Sequence, residues 1–118
     1  MTRSSARTAY YEPAKSRPNF HILTGHFVSE ILFDGLTAHG VNIVSRADNS
    51  TSVAFAGKEV ILAAGAIHTP QLLQKSGVGP KDLLTSAGIE VLLDLPAVGA
   101  NFQDHPVAYA SWNCKLSR

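Results

Sequence analysis

The residues best suited to chemistry in this sequence lie between Lys58 and Gly79, KEVILAAGAIHTPQLLQKSGVG. A small and aliphatic run, Val60 to Ala64, closes at Gly65. Thr69-Pro70 follows, and the stretch ends in Ser76-Gly77-Val78-Gly79. The step Ala63-Ala64-Gly65 has the character of a strand end that meets a nucleotide, because backbone without bulky side chains can come close to a phosphate or ribose. Small residues at a strand end also serve plain packing, and on this step alone both readings stand. Gly77-Val78-Gly79 carries two glycines of a phosphate-binding fingerprint. The third is missing, and a helix rather than a strand precedes it, so it is not one. A P-loop lysine pattern is absent as well.

Spacing argues against several other chemistries. None of the histidines (His21, His26, His39, His68 and His105) forms the i, i+4 helical pair with an acid that zinc enzymes use, so no metal site is expected. Asp104-His105 could be an acid orienting a base, but no G-x-S-x-G elbow supplies a nucleophile. In the competing reading these two residues hold the loop NFQDHP through backbone hydrogen bonds. Cys114 is the single cysteine, which excludes an internal disulfide and leaves the redox compartment open. Asn49-Ser50-Thr51 matches a glycosylation acceptor pattern in a polar turn, usable only if the chain is part of something longer.

Composition narrows the class further. The 118 residues suffice for one domain with a core, and a net charge of +1 with a pI near 8.0 provides no basic field for nucleic acid. No apolar run approaches the roughly 18–20 residues that span a bilayer, and no apolar segment follows Met1 as a secretion signal requires. Localisation stays open.

The elements that must position these residues follow from periodicity and turn chemistry. Ser4 to Tyr11 reads as a short helix capped by Ser4 or Ser5 and ended at Pro13. Phe20 to Leu23 and His26 to Phe33 read as extended segments, with a turn at Asp34-Gly35. Gly40 to Arg46 puts Val41 and Ile43 on one face, and Thr51 to Phe55 supplies the next strand, so these segments should pair as an antiparallel meander. Val60 to Ala64 is apolar throughout, as in a strand covered on both faces, with a buried helix segment as the rival. Thr69 fits an N-cap with Pro70 at the first helical position, Leu72 and Leu73 face inward, and Gly77 makes the left-handed C-terminal turn. Pro80 opens a further short helix that Gly88 stops. Ile89, Val91, Leu93 and Leu95 alternate as a half-buried strand, and an extended segment begins at Val107.

Taken together, these residues resemble the glucose–methanol–choline (GMC) family of FAD-dependent oxidoreductases. Gly65 to Gly79 fits the second family signature at every constrained position: the opening Gly-Ala, Thr-Pro, the paired leucines and the closing Ser-Gly-aliphatic-Gly. Ser4-Ser5-Ala6, Arg17-Pro18-Asn19, Leu23-Thr24-Gly25, Asp94-Leu95-Pro96, Val98-Gly99 and Asn101-Phe102-Gln103-Asp104-His105 look like the same family in the same order. The resemblance covers nearly the whole chain.

The resemblance implies an α/β fold: a partial Rossmann-like FAD-binding domain with an antiparallel meander over residues 1–105, and the start of a substrate domain over 106–118. It implies FAD as cofactor, an alcohol as small-molecule substrate, and no nucleic acid or membrane partner. It assigns Val28 to the adenine end of FAD through its backbone, and Ala64 and Gly65 to the small residues that let a strand end approach the cofactor. The family's G-x-G-x-x-G, which holds the pyrophosphate, has no counterpart here. The same is true of its catalytic pair, a histidine with a second histidine or an asparagine, one of which takes the hydroxyl proton while hydride passes to flavin N5. His105 is not that residue, so no catalytic residue is assigned. The expectation is a middle piece of a longer alcohol oxidase or dehydrogenase that alone binds FAD weakly or not at all. The alternatives are a truncated, non-catalytic remnant serving as a binding or structural module, and a nicotinamide-dependent dehydrogenase. The latter suffers because the pattern from Gly65 to Gly79 is not part of its nucleotide loop.

Overall fold

In the computed structural model, residues 3–112 are described; Cys114 and the end of the expected substrate-domain segment lie outside them. The meander forms as its turn chemistry dictates. Strand β1 (His26–Asp34) pairs antiparallel with β2 (Thr37–Ser45), which pairs antiparallel with β3 (Thr51–Phe55). Gly35 opens the two-residue hairpin loop at φ +55°, the sign that both favoured hairpin turns require at this position. Val28 lies opposite Ile43 and Ile31 opposite Val41, so these four side chains share one face, where Ile31 and Ile43 are buried. Phe55 and Val53 fall on the other face and are exposed. The register slips at Ser29, leaving β1 with a bulge just after Val28.

Helix α2 (Gly65–Lys75) packs against β1, and Leu72 and Leu73 are half-buried as its amphipathic spacing requires. A serine joins the two elements. The Ser76 hydroxyl, at the C-terminal end of α2, donates to the Leu72 carbonyl (2.7 Å) and accepts the Ile31 N–H of β1 (2.9 Å). The chain then turns through Gly77 at φ +85° into β4 (Val78–Gly79), helix α3 (Lys81–Ser86) and β5 (Leu93–Asp94), which runs parallel to β4. Asp94 returns to accept the Lys81 N–H at 3.0 Å, satisfying one free donor at the start of α3. Leu84 of α3 is the most deeply buried side chain, at 1% exposure.

Five expectations are corrected. Val60 to Ala64 runs without strand or helix hydrogen bonding, because no described residue offers it a neighbouring strand, and Ile61 is 78% exposed. Phe20 to Leu23 and the described part of the segment from Val107 are likewise irregular and mostly exposed. The alternating strand from Ile89 shrinks to Leu93–Asp94, since its partner β4 is confined to two residues between the Gly77 turn and Pro80. Pro13 does not end the first helix. A π-helical turn, Arg7–Tyr11, runs without a break into α1 (Glu12–Ala14), so the helical backbone continues through Pro13. The Ser5 cap is present, with its hydroxyl 3.4 Å from the Thr8 N–H.

The described elements enclose only small clusters of buried side chains, and the radius of gyration is 20.4 Å. A compact domain of this length would have about 13–14 Å.

Two outcomes follow from this geometry. Gly77→Ala places a Cβ 2.8 Å from the Glu90 carbonyl at a φ that alanine avoids. It should lower stability by at least about 2 kcal/mol in urea unfolding, with loss of amide protection at Leu92 and Leu93, which donate to the Gly77 carbonyl. At the β2–β3 turn, hydrogen bonds from the Ser50 hydroxyl, the Ser50 N–H and the Ser45 side chain lower the Asp48 pKa from 3.8 to about 2. A depressed carboxylate supports the turn above its unfolded pKa and loses that support as pH falls from about 4 through 2. Ser50→Ala should raise the Asp48 value toward 3.8 in a carboxyl NMR titration.

Candidate functional site

A cleft of about 740 Å³ opens between the start of β1, the irregular run 60–64 and one face of α2. Val28 and Ala64, 36 positions apart in sequence, both line it. Its walls are apolar, from Val28, Val41, Val60, Leu62 and Leu72. At its rim stand Arg46, His68 and Lys75, with no carboxylate among the lining residues. That arrangement favours a ligand with an apolar body and a negative charge. The Arg46 guanidinium sits 5.6 Å from the centroid of the Phe27 ring, a cation–π contact that holds the charge at the mouth.

The backbone at Val28 is also disposed to recognise a ligand edge. The Arg46 N–H donates to the Gly25 carbonyl at 2.9 Å, which sets the phase of the β1–β2 ladder. Antiparallel pairs alternate between bonded and non-bonded, so Val28–Ile43, three steps further along, falls in the non-bonded set. The Val28 N–H and C=O are therefore directed away from β2, toward the free edge of the sheet. Ile31 behaves in the same way after the bulge, and its N–H reaches Ser76 rather than β2.

Ala64 is the N-cap of α2, and Gly65 is its first residue at φ +89°. A Cβ at Gly65 would meet nothing within 4 Å, so within this chain the glycine answers a backbone conformation rather than a close approach. The expected N-cap role of Thr69 is corrected. Thr69 lies inside α2, and its Oγ1 reaches back to accept the Ala64 N–H at 3.1 Å, fixing the junction between the irregular run and the helix. Pro70 is interior too, and its ring removes the bond to the Ala66 carbonyl.

Sequence reasoning did not find Arg46, His68 and Lys75 as site residues. The signal was present: His68, Gln71, Leu72 and Lys75 recur at i, i+3, i+4 and i+7, one stripe of a helix. Arg46 needed the β1–β2 register, which places it beside Gly25. A second, smaller cleft lies beside the start of α2, lined by Ala66, Gly99, Asn101, Phe102 and Gln103 among others. Asp104 is not aimed at the His105 ring; its carboxylate accepts the His105 backbone N–H at 2.7 Å, a loop contact. No group of three or more His, Cys, Asp or Glu side chains able to share a metal ion occurs among the described residues. No helix among them is long and apolar enough to cross a membrane.

A family model described as GMC oxidoreductase matches residues 1–107. The chain belongs to the GMC oxidoreductase family. Dehydrogenase xptC of Emericella nidulans is 54% identical over 119 residues, covering 98% of this chain and 19% of that protein. The oxygen-dependent choline dehydrogenase of Pectobacterium atrosepticum is 49% identical over 113 residues, covering 96% of this chain and 20% of its own length. A solved FAD-dependent oxidoreductase from Chaetomium thermophilum superimposes with a TM-score of 0.77 at 49% identity, over 81% of this chain and 17% of that one. This GMC chain thus spans about a fifth of the length of the curated relatives it matches. Its mixed helix and strand composition agrees with the α/β domain of such enzymes.

The Thr69 bond predicts a local effect. Thr69→Val keeps the shape and removes the acceptor, so the Ala64 amide should exchange faster and stability should fall by about 1 kcal/mol. Hydrogen exchange and urea unfolding of the two chains check this.

Proposed function

We propose that this chain is part of the FAD-binding domain of a GMC alcohol oxidase or dehydrogenase and contributes the pocket for the adenosine end of the cofactor. One observation carries the reading: Val28 and Ala64 meet in one apolar cleft with cations at its rim. The adenine would lie along the free edge of β1, against the Val28 main chain. Ala64 and Gly65 would admit the cofactor beside the start of α2, and the cationic rim would favour its phosphates. These residues fit an adenine nucleotide in shape, charge and hydrogen-bonding edge. FAD, when bound, supplies the hydride acceptor for oxidation of an alcohol to a carbonyl.

The domain assignment rests on the same reading, with the FAD-binding part over 1–105 and the beginning of the substrate domain over 106–118. The open core supports it, since a radius of gyration of 20.4 Å and an unpaired apolar run at Val60 to Ala64 suit a piece whose packing is completed by further polypeptide. No residue here is assigned a catalytic role. The second reading is a non-catalytic remnant of the family acting as a binding module. Coding sequence on either side decides between them. A G-x-G-x-x-G upstream and a histidine pair downstream mark an enzyme segment, and in-frame stops at both ends mark a remnant.

Without a pyrophosphate clamp, the purified 118-residue chain should retain little or no flavin, as read by absorbance near 450 nm. A stoichiometric yellow preparation overturns that expectation.

A further inference from the structure

We propose that Ser76 is a positioning residue for the adenosine cleft, its hydroxyl setting the placement of β1 against α2 and hence of Val28 relative to Ala64. The inference rests on the nucleotide reading given above. Val28 and Ala64 line the cleft from β1 and from the start of α2, far apart in sequence, so something must fix one element against the other. Among the described residues, the bond from the Ile31 N–H to the Ser76 Oγ is the only hydrogen bond between β1 and the α2 segment. Ile31 lies three residues beyond Val28, on the far side of the bulge at Ser29. A bulge loosens a strand locally, and the Ser29 hydroxyl offsets this only through a long 3.5 Å contact to the Asn42 carbonyl. On its free edge, β1 therefore depends on Ser76 for its tether.

Ser76 is itself held firmly. Its N–H bonds to the Leu72 and Leu73 carbonyls (3.1 and 3.0 Å), and the next residue, Gly77, is buried against Glu90 and Leu92. The hydroxyl is used in both senses, giving its proton to the Leu72 carbonyl and accepting the Ile31 N–H. Threonine can reproduce both bonds; alanine can reproduce neither.

The test uses the 15N-labelled chain with AMP as probe, followed at the Val28 and Ala64 amides. AMP should shift both resonances in the natural chain. Ser76→Ala should weaken AMP binding about tenfold and speed Ile31 amide exchange about tenfold, and Ser76→Thr should restore both. Leu84→Val, a core change remote from the cleft, should lower the melting temperature while leaving AMP affinity intact. That control separates positioning from general stability. Ser76→Ala binding AMP as the natural chain does overturns the proposal. So does Leu84→Val losing affinity in step with its stability. If AMP shifts neither resonance in the natural chain, the nucleotide reading fails on its own. The tether is then judged by NOEs between β1 and α2, which Ser76→Ala must weaken and Ser76→Thr restore; unchanged NOEs overturn it. Where Ser76→Ala loses its folded spectrum, Ser76→Cys, with its weaker S–H group, is read by the same titration and NOEs, and a response equal to the natural chain's overturns the proposal.

Discussion

The hydroxyl of Ser76 bridges two parts of this molecule that differ in architecture. On one side is an antiparallel meander with a free edge at β1. On the other is helix α2, which turns through Gly77 into the parallel pair β4–β5. A free strand edge presents unpaired N–H groups, and a helix end presents unpaired carbonyls. One serine supplies a partner to each, with the Ile31 N–H at 2.9 Å and the Leu72 carbonyl at 2.7 Å. Removing it would leave the partly buried Ile31 N–H unsatisfied, which costs more than a hydrogen bond is worth when both partners remain, while the Leu72 carbonyl would keep the Ser76 N–H at 3.1 Å.

The cleft is a product of that junction. Its walls come from a strand edge and a helix stripe, and its third side is the unpaired run Val60 to Ala64. Apolar side chains form the interior because Val28 and Val41 lie on the meander's buried face. Charge collects at the mouth because Arg46 follows the end of β2 and Lys75 ends α2, where long side chains reach solvent while their stems pack. The result is a polarised groove without a carboxylate, suited to an anionic ligand and poorly suited to a cation.

Local chemistry made the meander legible in the sequence. Asp34-Gly35 and Asn49 mark its turns, and Val41 with Ile43 marks its buried face. The glycine stops at Gly77 and Gly88 were equally local, and both adopt positive φ. What failed to show was set by partners rather than propensity. Val60 to Ala64 has the composition of a doubly covered strand, but strand structure needs a neighbour, and the described residues provide none. Thr69-Pro70 matched a helix start by residue type; the helix instead begins at Gly65, because the Thr69 hydroxyl secures the Ala64 N–H from within the helix. Val28 was found through resemblance alone, and only the ladder register shows why a main chain at that position is free to bind. His68 and Lys75 were visible as a stripe once the helix start was moved back to Gly65.

The residues that carry the family likeness are joined by contacts, which explains why they occur as an ordered set. Gly77 has no room for a side chain against Glu90 and Leu92, and its carbonyl receives the Leu92 and Leu93 N–H groups. Gly79 and Gly99 both crowd the Gln74 side chain, at 2.9 Å for an added Cβ, and Gln74 in turn donates to the Val98 carbonyl at 3.2 Å. Asp94 secures the start of α3 through Lys81. The closing Ser-Gly-aliphatic-Gly, the Asp-Leu-Pro and the Val-Gly are therefore not independent motifs. They meet at one junction, tightest at Gly77, where an added Cβ would come 2.8 Å from the Glu90 carbonyl. Constraint of this kind marks a scaffold, while the cleft it supports is lined by side chains that contact fails to restrict so tightly. The most recognisable residues of the chain are thus the ones that hold the site, and the residues that would touch the ligand stand beside them.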